Sequence, residues 1–502
     1  MRMWARGALT GIAAAAAALG AAEAVAVATG PRSAPLVAVG GVVVDHVPEP
    51  VKSFAIDLFG VHDKQALIAG TAVLLAAYAA AVGVLAVRHF WSGMAGLALF
   101  TAIGVLAAAS RPNAGPAAAL PSLAGGLVAG AVLALGYLGP RPVIRDEPGR
   151  RRFLWLVGGT LAGAAVVGYV GRQLAARREV IAAREGIRLP APVSPAPAPP
   201  PGADLGIRQL APYATSNATF YRIDTALVVP QVPPARWTLR VHGRVRHPFT
   251  LTFDQLMARP MVERWVTLAC VSNEVGGDLI GNARWLGVPL GELLDEADPL
   301  PGADQVVGRS VDGFTCGAPT ALLRDGRDAL LAIGMNGEPL PLEHGFPARM
   351  VVPGLYGYVS ACKWVTELEL TSFADFDAYW VPRGWSAQAP VKTGSRIDTP
   401  RPGGPVRAGQ VMVAGVAWAQ HRGVSRVEVR VDGGPWNEAR PAGTVSTDTW
   451  RQWSWRWEAT PGEHQLQVRA TDGTGEVQTE ARADPAPNGA TGWHTVRVTV
   501  TA

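Results

Sequence analysis

The architecture predicted for this chain is an α-helical membrane region of about five spans, then an α+β domain, then an immunoglobulin-like β-sandwich. Three observations predict it. Long uncharged apolar stretches are confined to the residues before about 172. A proline-rich run, LPAPVSPAPAPPPG at 189–202, separates them from sequence of ordinary soluble composition. From about 389 onward, short alternating strands follow one another with turn signals between them.

Of the 502 residues, 49% are hydrophobic and only 17% charged, and the apolar excess lies in the first third of the chain. Segments at about 7–28, 65–87, 91–109, 117–138 and 153–171 are long enough to cross a ~30 Å hydrocarbon core as helices. The last four carry no Asp, Glu, Lys or Arg; the first carries Glu23, which is costly in lipid unless it faces a partner or water. A cleaved signal peptide is the other reading of the first segment, but its apolar run is longer than a signal needs. Arg2, Arg6, Arg88 and the cluster Arg141, Arg145, Arg150, Arg151 and Arg152 share one side of five spans, which the positive-inside rule makes cytoplasmic. Five spans then place everything after residue 172 outside the cytoplasm, as a multi-pass protein of the cell membrane. Arg150 to Leu154 resembles a twin-arginine signal, a receptor-read address, and reads equally as a positive-inside cluster. The stretch with Asp45, His46, Glu49, Asp57 and His62 suits an interfacial segment.

The linker, 189–203, is expected to be an extended, semi-rigid spacer. Residues 204–388 read as the α+β domain. WTLRVHGRV and RMVVPG read as strands, and GVPLGELLDEA as a helix with Pro289 near its first turn. Residues 389–502 hold the sandwich strands VMVAGVAW, VSRVEVRV, WSWRWEA, HQLQVRA and HTVRVTV, with turns at DGG 432–434 and DGTG 472–475. Trp453, Trp455 and Trp457 alternate on one strand and read as core or interface.

Net charge is +5, much of it in arginines flanking apolar segments, and no basic stripe interleaved with aromatics appears, which argues against nucleic-acid binding. Cys270, Cys316 and Cys362 are an odd, widely spaced set, unlike a disulfide framework or a cysteine zinc site. There is no CxxCH for a c-type haem, and the nine histidines include no pair at helical metal-site spacing. In VTLACVSNEVGGDLIGNARWLGVPL, 266–290, a short apolar strand delivers Cys270 into a Gly/Asn-rich loop, a setting suited to a thiolate ligand for a thiophilic metal. The other two cysteines read as buried apolar thiols.

Three blocks resemble the sulfite-oxidase family of molybdopterin enzymes, in the family's order: NATFYRID at 217–224, the Cys270 stretch with its IGNARWLGVPL, and HGFPARMVVPGLYGYVSACKW at 344–364. The resemblance covers about 210–502 and none of the membrane region. It implies a sulfite-oxidase-type molybdopterin domain at 204–388 followed by an Ig-like dimerisation domain at 389–502. It makes Cys270 the sulfur ligand to molybdenum, completed by the pterin dithiolene and oxo or hydroxo groups. Asn217, Tyr221, Arg349, Ser360 and Lys363 match pterin-binding positions; Arg309 and Ser310 match another pterin contact more weakly, and His344 suits a hydrogen bond to the pterin. Cationic side chains fit a phosphate because they make charge-assisted hydrogen bonds. Arg222 is expected over the metal, where it would attract an oxyanion, and Tyr379 near it as a proton donor.

Two departures matter. Animal sulfite oxidases have arginines just after the metal-binding cysteine, where this chain has Asn273, Glu274 and Val275. The family's arginine ahead of the Lys-Trp pair is Ser360 here. The anion pocket is thereby less positive. The resemblance implies oxygen-atom transfer on a small sulfur or nitrogen oxo compound. A sulfoxide reductase and a cofactor-free extracytoplasmic binding module are the other readings. With no haem segment in the chain, a separate electron partner is expected, a haem protein or the quinone pool.

Overall fold

The computed structural model describes residues 3–29, 33–46, 63–111, 114–138, 158–159, 163, 179–226, 228–404 and 406–502. They form two units: Met1–Glu179 with Thr225–Val228, and Val180–Asp224 with Val229–Ala502.

The first unit is helical. α1 is Met3–Thr29, α2 Pro35–His46, α3 Asp63–Arg88, α4 Phe90–Ala109 and α5 Leu120–Leu138. Glycine permits the close approach of α1 and α3: a Cβ at Gly11 would overlap the carbonyl oxygen of Ala79, and one at Gly83 that of Gly7. Leu74, Trp91, Leu106 and Leu127 stand outward, exposed.

The expectation of about five spans is corrected here. Among the described residues, three helices are long and apolar enough to cross a membrane: Trp4–Ala26, Ala69–Arg88 and Phe90–Ala109. The stretch expected from 117 becomes helical only at Leu120, after Pro116 and with Pro121 in its first turn, and its apolar part, Leu120–Leu135, is shorter. The expected span at 153–171 and the twin-arginine-like Arg150–Leu154 lie outside the described residues. So does most of the proposed interfacial stretch, of which α2 is the described part. Glu23 is buried among the helices.

The second unit holds two sheets of an α+β domain and a two-sheet sandwich. β1 (Thr238–Gly243), β2 (Phe249–Thr252), β5 (Gln305–Ser310), β6 (Thr315–Pro319) and β10 (Val365–Thr371) form one sheet in the order β2-β1-β10-β5-β6. β3 (Val262–Ala269), β4 (Ile280–Pro289), β7 (Leu330–Met335) and β8 (Glu338–Pro339) form the other, with β9 (Arg349–Val351) pairing β7. The helix expected around Pro289 is Leu290–Ala297, with Pro289 at its N-cap. Val266, Leu268, Ala283, Trp285 and Phe346 are buried between these elements; each large side chain so buried contributes ~1.5–3 kcal/mol.

The sandwich runs from β11 (Gly394–Thr399) through β12 (Val406–Arg407), β13 (Gly409–Trp418), β14 (Val424–Val431), β15 (Asn437–Glu438), β16 (Arg440–Pro441), β17 (Arg451–Ala459) and β18 (Gly462–Asp472) to β19 (His494–Thr501). Its sheets are β11-β13-β17-β16 and β12-β19-β18-β14-β15. Alternation sends Trp453 and Trp457 into the core between them, with Trp455 partly buried against it. The proline-rich segment is extended, and it lies along the edge of β3. Val193 donates its amide to Met261 O at 2.8 Å, Glu263 to Ser194 O at 2.9 Å, and Trp265 Nε1 to Pro197 O at 3.1 Å.

Candidate active site

Cys270 stands where β3 ends. The last four residues of β3, Val266–Ala269, are buried, and Ala269 is in register with Ile280 of β4. The Cys270 amide donates to Leu279 O at 2.9 Å, so the loop between the strands starts and finishes at one point. Asn273 braces it: its amide donates to Cys270 O at 3.1 Å and its Oδ1 accepts from the Leu279 amide at 2.8 Å. The thiol is unbridged and buried. Burial pushes it up, against the Ser272 amide and hydroxyl, the Val271 amide and the Lys363 charge, all of which favour the thiolate.

The Phe220–Tyr221 pair packs on this strand end. Their rings stack at 5.2 Å, and Phe220 meets Trp285 and His344 edge-on. Burial pushes the Tyr221 hydroxyl up, helped by Cys270 and opposed by Arg349. The helical turn Gly357–Ser360 approaches from the other side: a Cβ at Gly357 would stand 3.7 Å from Ala269 O and 3.8 Å from the Tyr221 hydroxyl. Its neighbour Tyr356 is buried, and burial pushes its hydroxyl to about 12, with Cys270 also contributing.

Arg349 begins β9 and is 5% exposed. It donates to His344 O at 3.1 Å and Met350 O at 3.3 Å, and lies over Trp285 at 5.0 Å. Burial lowers it to about 10, and among the described residues no carboxylate forms an ion pair with it. Burial likewise brings Lys363 to about 8, although its Nζ pairs with Asp224 at 2.8 Å. His344 Nε2 lies 3.0 Å from Asn217 O, so that nitrogen carries the proton; burial and Arg349 lower the ring to about 4 and keep it neutral. Asn217 Oδ1 accepts from Asn336 Nδ2 at 2.8 Å.

A buried guanidinium with no ion pair among the described residues, a neighbouring lysine and an enclosed thiol form a donor set for an anionic ligand that also carries a soft metal. The residues therefore fit a phosphate-bearing pterin and its molybdenum.

Other expected site residues fall differently. Arg222 is half-exposed and pairs with Asp224 at 2.9 Å, so one carboxylate balances two cations. Arg309 pairs through Nε with Glu369 at 2.8 Å and lies over Phe376, so its charge is already met across the β5–β10 pairing. Ser310 is buried and accepts from the Asp312 amide at 3.3 Å. The Ser360 hydroxyl donates within its own turn, to Leu355 O and Tyr356 O. Tyr379 sits among Phe314, Trp380 and Arg383. Asp224, Ser272 and Tyr356 were not singled out from sequence. Ser272 and Tyr356 lie inside the motif blocks; Asp224 closes NATFYRID, and only the fold sets it beside Lys363. Cys316 and Cys362 are buried thiols beside Met350 and Gly308.

Residues 226–380 match the oxidoreductase molybdopterin-binding domain, and 395–468 a bacterial Ig domain. The chain is 30% identical over 323 residues to the sulfite oxidase of Gallus gallus, covering 54% of this chain and 69% of that protein. The chain belongs to the sulfite-oxidase family. A protein-methionine-sulfoxide reductase catalytic subunit of Gluconobacter oxydans is 32% identical over 191 residues, 34% of this chain and 57% of that protein. The sulfane dehydrogenase SoxCD of Paracoccus pantotrophus superposes with a TM-score of 0.51 at 26% identity, covering 58% of this chain and 82% of that one. As a family member with the molybdopterin-binding domain, the chain is a molybdenum-cofactor oxidoreductase.

Proposed function

We propose that this chain is a membrane-tethered, multi-pass oxidoreductase whose catalytic domain lies outside the cytoplasm. It transfers an oxygen atom to or from a small sulfur or nitrogen oxo compound. The observation that supports the chemistry most directly is the buried, unbridged Cys270 thiol, which feels the charge of Lys363 and in turn acts on the Tyr221 and Tyr356 hydroxyls.

The Cys270 sulfur holds the metal. Arg349 and Lys363 hold the pterin phosphate, with Asn217, Tyr221, Ser360, Ser310 and His344 lining the pterin. Arg309, paired with Glu369 as Lys363 is with Asp224, is a further candidate for the pterin. When bound, the cofactor supplies the two-electron change that accompanies oxygen-atom transfer. The chain's own groups orient substrate and handle protons. Tyr356 keeps its proton across the physiological range, since burial pushes its hydroxyl to about 12, and so offers a hydrogen-bond donor rather than a transferable proton. Tyr379, in its aromatic cluster, is the second candidate donor. Arg222 faces incoming anions with a charge tempered by Asp224. Electrons pass to or from a separate partner, a haem protein or the quinone pool, and residues 389–502 provide a homodimer surface.

That tempering favours a second reading, a sulfoxide reductase. A neutral S=O group needs less positive charge than sulfite, and Asn273 and Glu274 add none. The relative named as a methionine-sulfoxide reductase is in keeping with it.

The test is molybdenum content, the molybdenum(V) EPR spectrum and dye-linked turnover of sulfite and of a methyl sulfoxide, for wild type and Cys270→Ser. About one molybdenum per chain, with the spectrum altered and turnover lost in the variant, supports the assignment. Protein from a cofactor-competent host that holds no molybdenum overturns it.

A further inference from the structure

The β-sandwich reaches the Cys270 loop with two side chains. Arg396 of β11 is 8% exposed; it pairs with Asp398 at 2.6 Å and donates through Nη1 to Gly277 O, also at 2.6 Å. Asp398 is fixed in turn by the Ala211 amide at 2.9 Å. His494 of β19 accepts the Ile397 amide on Nδ1 at 3.0 Å, which leaves its proton on Nε2. Its ring fills the space a side chain at Gly276 would need, and Gly276 has φ +85°, a conformation only glycine adopts without strain. Gly277 donates back to Glu274 O at 2.9 Å, next to Asn273, which braces Cys270.

A second set of contacts grips the strand just before the cysteine. Thr267 donates its amide to Asp448 O at 2.9 Å, and its hydroxyl donates to Asn282 Oδ1 at 3.0 Å while accepting the Trp450 amide at 2.7 Å. Gln420 Nε2 donates to Thr267 O at 3.2 Å. All of these groups are buried, where each hydrogen bond carries a large penalty if broken. The strand end and the loop after it are thus both referenced to the sandwich rather than only to β4.

We propose that the β-sandwich is a positioning half of the metal site, with Arg396 and His494 as positioning residues that hold loop 273–279 and, through it, the Cys270 sulfur. This deepens the reading of Cys270 as the metal ligand. It gives the Ig-like domain a role within one chain, separate from any contact between chains. A guanidinium hydrogen bond to a carbonyl in a buried ion pair is a rigid tether, and lysine at 396 would supply one donor in place of the planar fork.

The experiment uses full-length chain made in a host without the cofactor, then the loaded protein. Hydrogen exchange is followed peptide by peptide for wild type, Arg396→Met, Arg396→Lys and Gly276→Ala. The expected result is exchange roughly tenfold faster in 270–279 for Arg396→Met and Gly276→Ala, partial rescue in Arg396→Lys, and unchanged exchange in β14 and β18. In loaded protein, the molybdenum(V) EPR spectrum of Arg396→Met shifts and kcat falls while KM holds. Exchange that rises across the whole sandwich, or a loop and a spectrum that match wild type, overturns the proposal. If no preparation binds molybdenum, the cysteine-ligand reading fails and the exchange data alone still decide whether the sandwich holds the loop.

Discussion

The guanidinium of Arg349 lies over the ring of Trp285, 5.0 Å from its centroid, in a site where no described carboxylate pairs with it. Both are buried, and the arginine's Nε and Nη1 donate to the carbonyl oxygens of Met350 and His344. A buried cation without an acid is costly in the empty protein, and the cost is offset only when an anion arrives.

Arg349→Met should therefore have opposite effects on two measurements. The cofactor-free chain should melt at or above the wild-type temperature, because an uncompensated charge has been removed. Retention of pterin through gel filtration should fall on the order of tenfold or more, the scale of one charge-assisted hydrogen bond at ~1.5–3 kcal/mol. A variant that lost several degrees in the cofactor-free state and kept its pterin would mark Arg349 as a structural residue instead.

Much of this site is legible in the sequence because its parts are local. Cys270, Asn273 and the IGNARW strand lie within one hairpin, and His344, Arg349 and Lys363 within one short block. The sandwich is legible for a similar reason: alternation over β13, β14 and β17 to β19 needs no knowledge of partners. What could not be read depends on contacts remote in sequence. Asp224 meets Lys363 across 139 positions, and Arg396 meets Gly277 across 119. Arg309 is another such case: the pairing of β5 with β10 places Glu369 beside it, a partner 60 positions away. In the N-terminal unit composition pointed to α1, α3, α4 and α5 but not to α2, and the length of α5 depended on where Pro116 and Pro121 let it begin.

Asp472 ends β18 and gives the sandwich a pH dependence of known sign. Its desolvation raises the carboxyl, but hydrogen bonds from Thr474, Arg422 and the Glu476 amide outweigh it and hold the group at about 2, against an ordinary 3.8. A depressed carboxyl stabilises the fold above its unfolded value, and that contribution disappears as pH falls from about 4 through 2. The shift corresponds to ~2 kcal/mol at neutral pH. Asp472→Asn should lower the unfolding free energy by about that amount at pH 7, read by urea denaturation followed through sandwich tryptophan fluorescence. The gap between variant and wild type should close as the pH approaches 2. A gap that stayed constant would place the effect in packing and not in ionisation.

Arg222 provides the measurement that separates the two candidate substrates. It shares Asp224 with Lys363, at 2.9 Å and 2.8 Å, and is itself half-exposed, so it is the cation of this trio best placed to meet a solute. Removing it leaves the Lys363–Asp224 pair intact, which keeps the pterin side of the site charged as before. If the site takes sulfite, Arg222→Met removes attraction for a dianion, and KM for sulfite should rise on the order of tenfold with kcat little changed, most clearly at low salt where screening is weak. A neutral methyl sulfoxide has no net charge to lose, so its KM should move less than about twofold in the same variant. Wild-type protein that turns over only the sulfoxide, with Arg222→Met indifferent, would make the reductase reading the better account of the site. A large KM effect on sulfite, with the salt dependence lost in the variant, would instead show that one arginine tempered by Asp224 suffices to hold an oxyanion.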